Sequence, residues 1–169
     1  MQLLQIGLRA LQLLWIVLLT ALIGNVIALN RTASGSAESA VNFTMFVIVI
    51  SWLATLYGLA AAVVEQVAIP VVLLALDGIV TLFTFINAIV LAAKVRAVNC
   101  SNTADLGSDW IGYGSDDNSK RCREIQASTA FMWFLWASFT VGLILMLVGF
   151  RRSGTSVRSG APTMSQVRV

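Results

Sequence analysis

Four long apolar stretches, at roughly 10–29, 41–64, 67–93 and 125–150, are separated by polar segments and followed by a polar tail. Each has the ~20 residues that a helix needs to cross a hydrocarbon core about 30 Å thick. Inside lipid a backbone must satisfy its own hydrogen bonds, so each stretch is predicted to be α-helical. The alternating segments of about 10 residues that mark a membrane β-barrel are absent. The pattern therefore predicts an all-α integral membrane protein, a four-transmembrane-helix bundle occupying residues 1–150. A loop over 94–124 joins the last two spans, and 151–169 forms a basic tail.

The start of the first stretch admits other readings. Arg9, an apolar run and the small residues Ala33 to Ala37 have the order of a cleaved signal peptide, but the run is longer than the ~7–15 residues of a signal core. Gln2, Gln5, Arg9 and Gln12 are spaced three and four apart, on one face of a helix. They mark either the polar beginning of the first span or an amphipathic segment lying in the membrane interface.

Composition narrows the class. Of 169 residues, 58% are hydrophobic and 11% charged, against about 25% charged in a soluble domain. A water-soluble globule is excluded, and a disordered chain has the opposite bias. The formal net charge is +3, too small an excess to imply nucleic-acid binding. There is no histidine, no nucleophile beside a base, no phosphate loop and no metal-ligand spacing, so the sequence predicts a non-enzyme without cofactor or metal.

Four spans put both termini on one side. Counting bases does not choose the side: five (Arg9, Arg151, Arg152, Arg158, Arg168) flank the terminal side and six (Arg31, Lys94, Arg96, Lys120, Arg121, Arg123) the other. Two other features choose. Both cysteines, Cys100 and Cys122, bracket the loop after the third span, and three candidate glycosylation sequons, at Asn30, Asn42 and Asn99, fall on the same side. A polar loop with a cysteine at each end reads as disulfide-closed in an oxidising compartment, with a reduced thiol pair as the alternative. That loop is placed outside and both termini in the cytosol. Closing it is worth about 3 kcal/mol. Within it, Trp110 and Tyr113 are either headgroup-level aromatics or a small hydrophobic anchor beneath the disulfide.

Asp77 is the acid that lies well within a span, about 10–15 Å deep at 1.5 Å per residue. A charged Asp at a helix centre costs about 2.5–3.5 kcal/mol on insertion scales, so it must face other helices, water or a ligand. Thr81 and Thr84 follow on its face. Asp77 is read as a packing hydrogen bonder, a polar site for a lipid headgroup or partner, or a proton relay. Ser51, Thr55, Gly58 and Ala62 form a matching face on the second span, tied to the third by the short Glu65–Gln66 turn. Small residues recur four apart at Thr20, Gly24 and Ala28, at Ala54, Gly58 and Ala62, and at Ala88 and Ala92. Such faces let helices approach closely, within the bundle or between copies in a homo-oligomer. The tail arginines Arg151, Arg152, Arg158 and Arg168 suit an ordinary cytosolic tail or a contact with anionic inner-leaflet lipid.

The run Pro70 to Asp77, continuing through Phe83-Thr84-Phe85 to Lys94-Val95-Arg96-Ala97, resembles the fungal MARVEL-domain tetraspan proteins. So do Tyr57-Gly58, Cys100-Ser101-Asn102, Lys120-Arg121-Cys122-Arg123 with Gln126-Ala127, and Pro162 to Val167. The resemblance covers essentially the whole chain. It implies a multi-pass plasma-membrane protein of furrow-like microdomains (eisosomes), linked to microdomain organisation, sphingolipid-responsive signalling and unconventional export. It also implies membrane lipids, sphingolipid or sterol among them, and eisosome components as partners. The leading expectation is a membrane organiser. The alternatives are a small proton-coupled transporter or exporter and an accessory subunit of a larger complex.

Overall fold

A computed structural model describes residues 2–32, 35–64, 69–96, 98–101 and 110–158. It contains four helices: α1 (Gln2–Ala28), α2 (Ser36–Val63), α3 (Pro70–Val95) and α4 (Asn118–Arg158). By length and composition all four are able to cross a membrane, over Leu4–Ala28, Ser36–Val63, Pro70–Val95 and Asn118–Gly149.

The helices outrun the apolar stretches, and local chemistry explains where they begin and end. α1 starts at Gln2 rather than near residue 10, as one continuous helix with no separate interfacial segment. Gly35, at φ 66°, occupies the left-handed region that glycine tolerates and precedes α2. Pro70 opens α3 at the first helical position, where its missing N–H costs nothing. Asp77 therefore lies seven residues inside α3. At the start of α4 the Asp117 carboxylate accepts from the Lys120 amide at 3.0 Å, a side-chain cap that draws residues 118–124 out of the predicted loop into the helix. α4 also continues beyond its apolar part to Arg158, so the first residues of the predicted tail are helical.

The helices pack as a ring in the order α1–α2–α3–α4, with α4 closing against α1. Among the described residues no backbone approach links the diagonals α1–α3 or α2–α4. The core contains Ile16, Leu19 and Ile23 of α1, Val47 and Ile48 of α2, Val80 and Leu91 of α3, and Met132, Leu135 and Phe139 of α4. Aromatic seams reinforce the edges. Trp15 stacks on Phe131 and Phe134, Phe83 meets Phe43 and Phe46, and Phe85 meets Trp133 and Trp136. The outward faces remain apolar, as expected of surfaces that meet lipid.

Candidate functional site

Lipid offers no solvation to a polar group, so the site is found by asking where each buried polar side chain is satisfied. At the end of the bundle where α1 begins and α4 finishes, here the terminal end, Arg9, Gln12 and Asp77 are all buried, at 8%, 1% and 2% exposure. Arg9 lies five residues past Leu4 and Asp77 seven past Pro70. At 1.5 Å per residue both are about 8–10 Å along their helices, on one level. The Arg9 guanidinium donates from Nη1 to Asp77 Oδ1 at 2.9 Å and from Nη2 to Asp77 Oδ2 at 2.5 Å. A two-pronged guanidinium–carboxylate pair is among the strongest side-chain contacts. Here it crosses the α1–α3 diagonal, which the backbones do not bridge.

Two neighbours hold the pair in place. Arg9 Nη1 also donates to Gln12 Oε1 at 3.0 Å, and Gln12 Nε2 donates to the Ser138 carbonyl of α4 at 3.3 Å. On α2, Gly58 leaves the space that the guanidinium fills: a Cβ there would lie 2.5 Å from Arg9 Cζ. All four helices therefore contribute to one polar layer. Above it a crevice of about 180 Å³ opens between Gln5, Leu8, Ala62, Leu73 and Met146.

Thr81 and Thr84, placed with Asp77 by their spacing, turn their hydroxyls onto carbonyls of their own helix, at Asp77 and Val80. The carboxylate accepts from Arg9 rather than from a threonine. Of the small residues, Ala54 and Ala88 are buried in the core, Ala62 lines the crevice, and nothing lies within 4 Å of a Cβ built at Gly24. Thr20 instead accepts a hydrogen bond from Trp52 Nε1 at 3.1 Å. Thr44 of α2 donates to Asn87 Oδ1 of α3 at 3.0 Å.

The opposite end is closed differently. Cys100 and Cys122 form a disulfide, with Cα atoms 5.6 Å apart. Trp110 is buried against it and donates from Nε1 to the Val95 carbonyl at 3.1 Å, so this ring is an anchor rather than a headgroup aromatic. Arg121, 3% exposed, donates to the carbonyls of Ile111 and Val26 and to Asn30 Oδ1. It thereby fastens the loop to the end of α1. The amides of Arg31 and Thr32 add bonds to the Gly114 carbonyl. Asn25 of α1 donates to Glu124 of α4 at 2.6 Å.

Among the sequons, Asn42 lies within α2, Asn30 is half-buried against Arg121, and Asn99 is an exposed loop residue. Arg151 is exposed at the end of α4, while Arg152 and Arg158 are described in backbone only. Arg168 and the Glu65–Gln66 turn lie outside the described residues. Among the described residues no group of His, Cys, Asp and Glu is arranged to hold a metal.

Residues 2–145 match the MARVEL family, described as a membrane-associating domain. The chain belongs to the MARVEL family. The match spans all four helices and includes both Arg9 and Asp77. Non-classical export protein 2 of Saccharomyces cerevisiae is 31% identical over 172 residues, covering 95% of each chain. Non-classical export protein 2 homolog 1 of the same organism is 35% identical over 143 residues, 77% of this chain and 80% of the relative. Non-classical export protein 102 of Candida albicans is 39% identical over 90 residues, about half of each. No solved structure matches the chain. The MARVEL bundle seen here is thus a multi-pass membrane fold related to non-classical export proteins.

Proposed function

We propose that this MARVEL protein is a non-enzymatic organiser of lipid and protein microdomains in the plasma membrane, with both termini in the cytosol. In this reading it supports eisosomal furrows and sphingolipid-responsive signalling, and contributes to non-classical export as its relatives' names suggest. Its partners are membrane lipids, eisosome components and further copies of itself. The observation that carries the reading is the relationship to Non-classical export protein 2 over 95% of both chains. The chemistry of the bundle supports it: the buried charged layer is spent on tying α1 to α3 and α4, and the outer faces are apolar.

An organiser must bind some lipids or proteins better than others, because only differential affinity shifts a distribution. The test is quantitative imaging of the fluorescently tagged full chain in yeast lacking Non-classical export protein 2. Clustering at membrane furrows that disperses when sphingolipid synthesis is blocked is the expected result. A uniform membrane distribution, unchanged by lipid depletion, refutes the reading.

A further inference from the structure

The polar layer at the terminal end keeps N–H donors that its own acceptors do not take up. A guanidinium carries five N–H donors. Three of those of Arg9 are engaged, one with Gln12 Oε1 and two with Asp77. The Nε–H and the second Nη2–H are left, and they share the guanidinium edge that grips oxyanions bidentately. Gln12 has committed its Oε1 to Arg9 and one amide hydrogen to Ser138, leaving its other N–H. Each Asp77 oxygen accepts from Arg9, which balances the carboxylate's charge. Arg9, nine-tenths buried, and Gln12 lie at the floor of the ~180 Å³ crevice, and Gln5 stands among its walls.

The field at this end has the matching sign. At this end the sequence places the bases Arg9, Arg151, Arg152 and Arg158 against the acids Glu65 and Asp77, a positive balance. The crevice walls supplied by Leu8, Leu73 and Met146 are apolar and suit the part of a ligand that adjoins a lipid chain. A donor-rich floor under apolar walls favours an acceptor-rich, anionic head.

We infer that the crevice is a binding site for a phosphate-type oxyanion, held by the free edge of Arg9 with Gln12 and Gln5, and supplied as a lipid headgroup or as free phosphate. The inference deepens the microdomain reading by naming a ligand chemistry. It rests on that reading only for its use in the cell, so retention in a nanodisc and clustering in a membrane fail separately.

The test uses the full chain in phosphatidylcholine nanodiscs containing phosphatidylglycerol as the minor lipid, with retained lipid identified by native mass spectrometry after detergent extraction. Wild type is expected to retain phosphatidylglycerol over phosphatidylcholine by about tenfold, the ratio that 1.4 kcal/mol produces. Arg9→Lys, which removes the free edge, and Ala62→Phe, which fills the crevice from its α2 wall and leaves both charged residues in place, should each bring the ratio close to one. Arg151→Gln should leave it within about twofold of wild type, since that exposed base is not among the residues that line the crevice. Where Arg9→Lys does not fold, Ala62→Phe decides. Displacement of the retained lipid by inorganic phosphate identifies free phosphate as a sufficient ligand, and retention against it identifies the lipid headgroup. A wild-type ratio near one overturns the inference, as does a preference that survives Ala62→Phe or is lost only in Arg151→Gln.

Discussion

Replacing Gly58 by alanine separates two roles that look identical in a row of small residues. If Gly58 merely lets helices approach, an alanine in open space should gain about 1 kcal/mol of helix propensity. The structure predicts the opposite sign. The new Cβ would sit 2.5 Å from Arg9 Cζ and Nε, so the guanidinium must move. It is the end of a flexible side chain, and moving it is sterically cheap, but it is held by two hydrogen bonds to Asp77. A hydrogen bond to a charged group contributes about 1.5–3 kcal/mol. Losing one and crediting the propensity gain leaves a net destabilisation of about 0.5–2 kcal/mol. Losing both approaches the ~3–5 kcal/mol of a broken buried pair. Thermal unfolding in one fixed detergent, supported by steric trapping in bicelles, measures the change. In an Asp77→Asn background the penalty should shrink, because the guanidinium is then held by weaker, uncharged acceptors and turns aside more easily. Gly24→Ala, which meets nothing within 4 Å, should be neutral or stabilising. A Gly58→Ala protein as stable as wild type, or an equal penalty with and without Asp77, would refute the reasoning.

Asp77→Asn and Arg9→Gln should each destabilise by about 3–5 kcal/mol, while Arg9→Met/Asp77→Leu recovers most of the loss, because an apolar pair replaces buried ions at little cost; a double-mutant cycle in the same detergent reads the coupling. Arg121→Met should leave the bundle folded but speed hydrogen exchange of the Arg31 and Thr32 amides at least tenfold, since removing roughly 1.5–3 kcal/mol of local bonding frees the loop; unchanged protection would show that Arg121 is not the clasp. Reduction of Cys100–Cys122 should cost about 3 kcal/mol. An impermeant maleimide should then label both thiols from outside intact cells, and labelling only after permeabilisation would reverse the proposed orientation.

The helices were legible because lipid makes their length and apolarity obligatory, and Asp77 was legible because an acid deep in such a run stands out. Its partner was not. Arg9 lies only nine residues from the start, before the main apolar run, where a base reads as a flanking topology signal. The spacing of Gln5, Arg9 and Gln12 did define one helical face, but an inward-facing stripe and an interfacial one have the same periodicity. Nor does a sequence state which helices lie diagonal to each other, so a contact across the α1–α3 diagonal has no local signature. Arg121 was hidden differently. Among Lys120, Arg121 and Arg123 it is one base of three, and only the fold shows Lys120 exposed and Arg121 buried under backbone carbonyls. Trp110 was ambiguous until the Val95 carbonyl was seen to receive its indole N–H.

The two ends of the bundle are fastened by unlike means. One end combines a covalent bridge, a buried tryptophan and the Arg121 clasp, while the other is held without a covalent bridge, by the Arg9–Asp77 pair and the Gln12 bonds below an open crevice. Such a body yields like a clothes-peg: the stapled end acts as the fulcrum, and the jaws part where the pair sits. Were Arg9 to part from Asp77, the cross-section would be freer to widen at that end than at the stapled one. An area difference between leaflets is the geometric ingredient of bending, so in a crowded patch of such bodies the state of one arginine would be written into the curvature of the sheet that holds them.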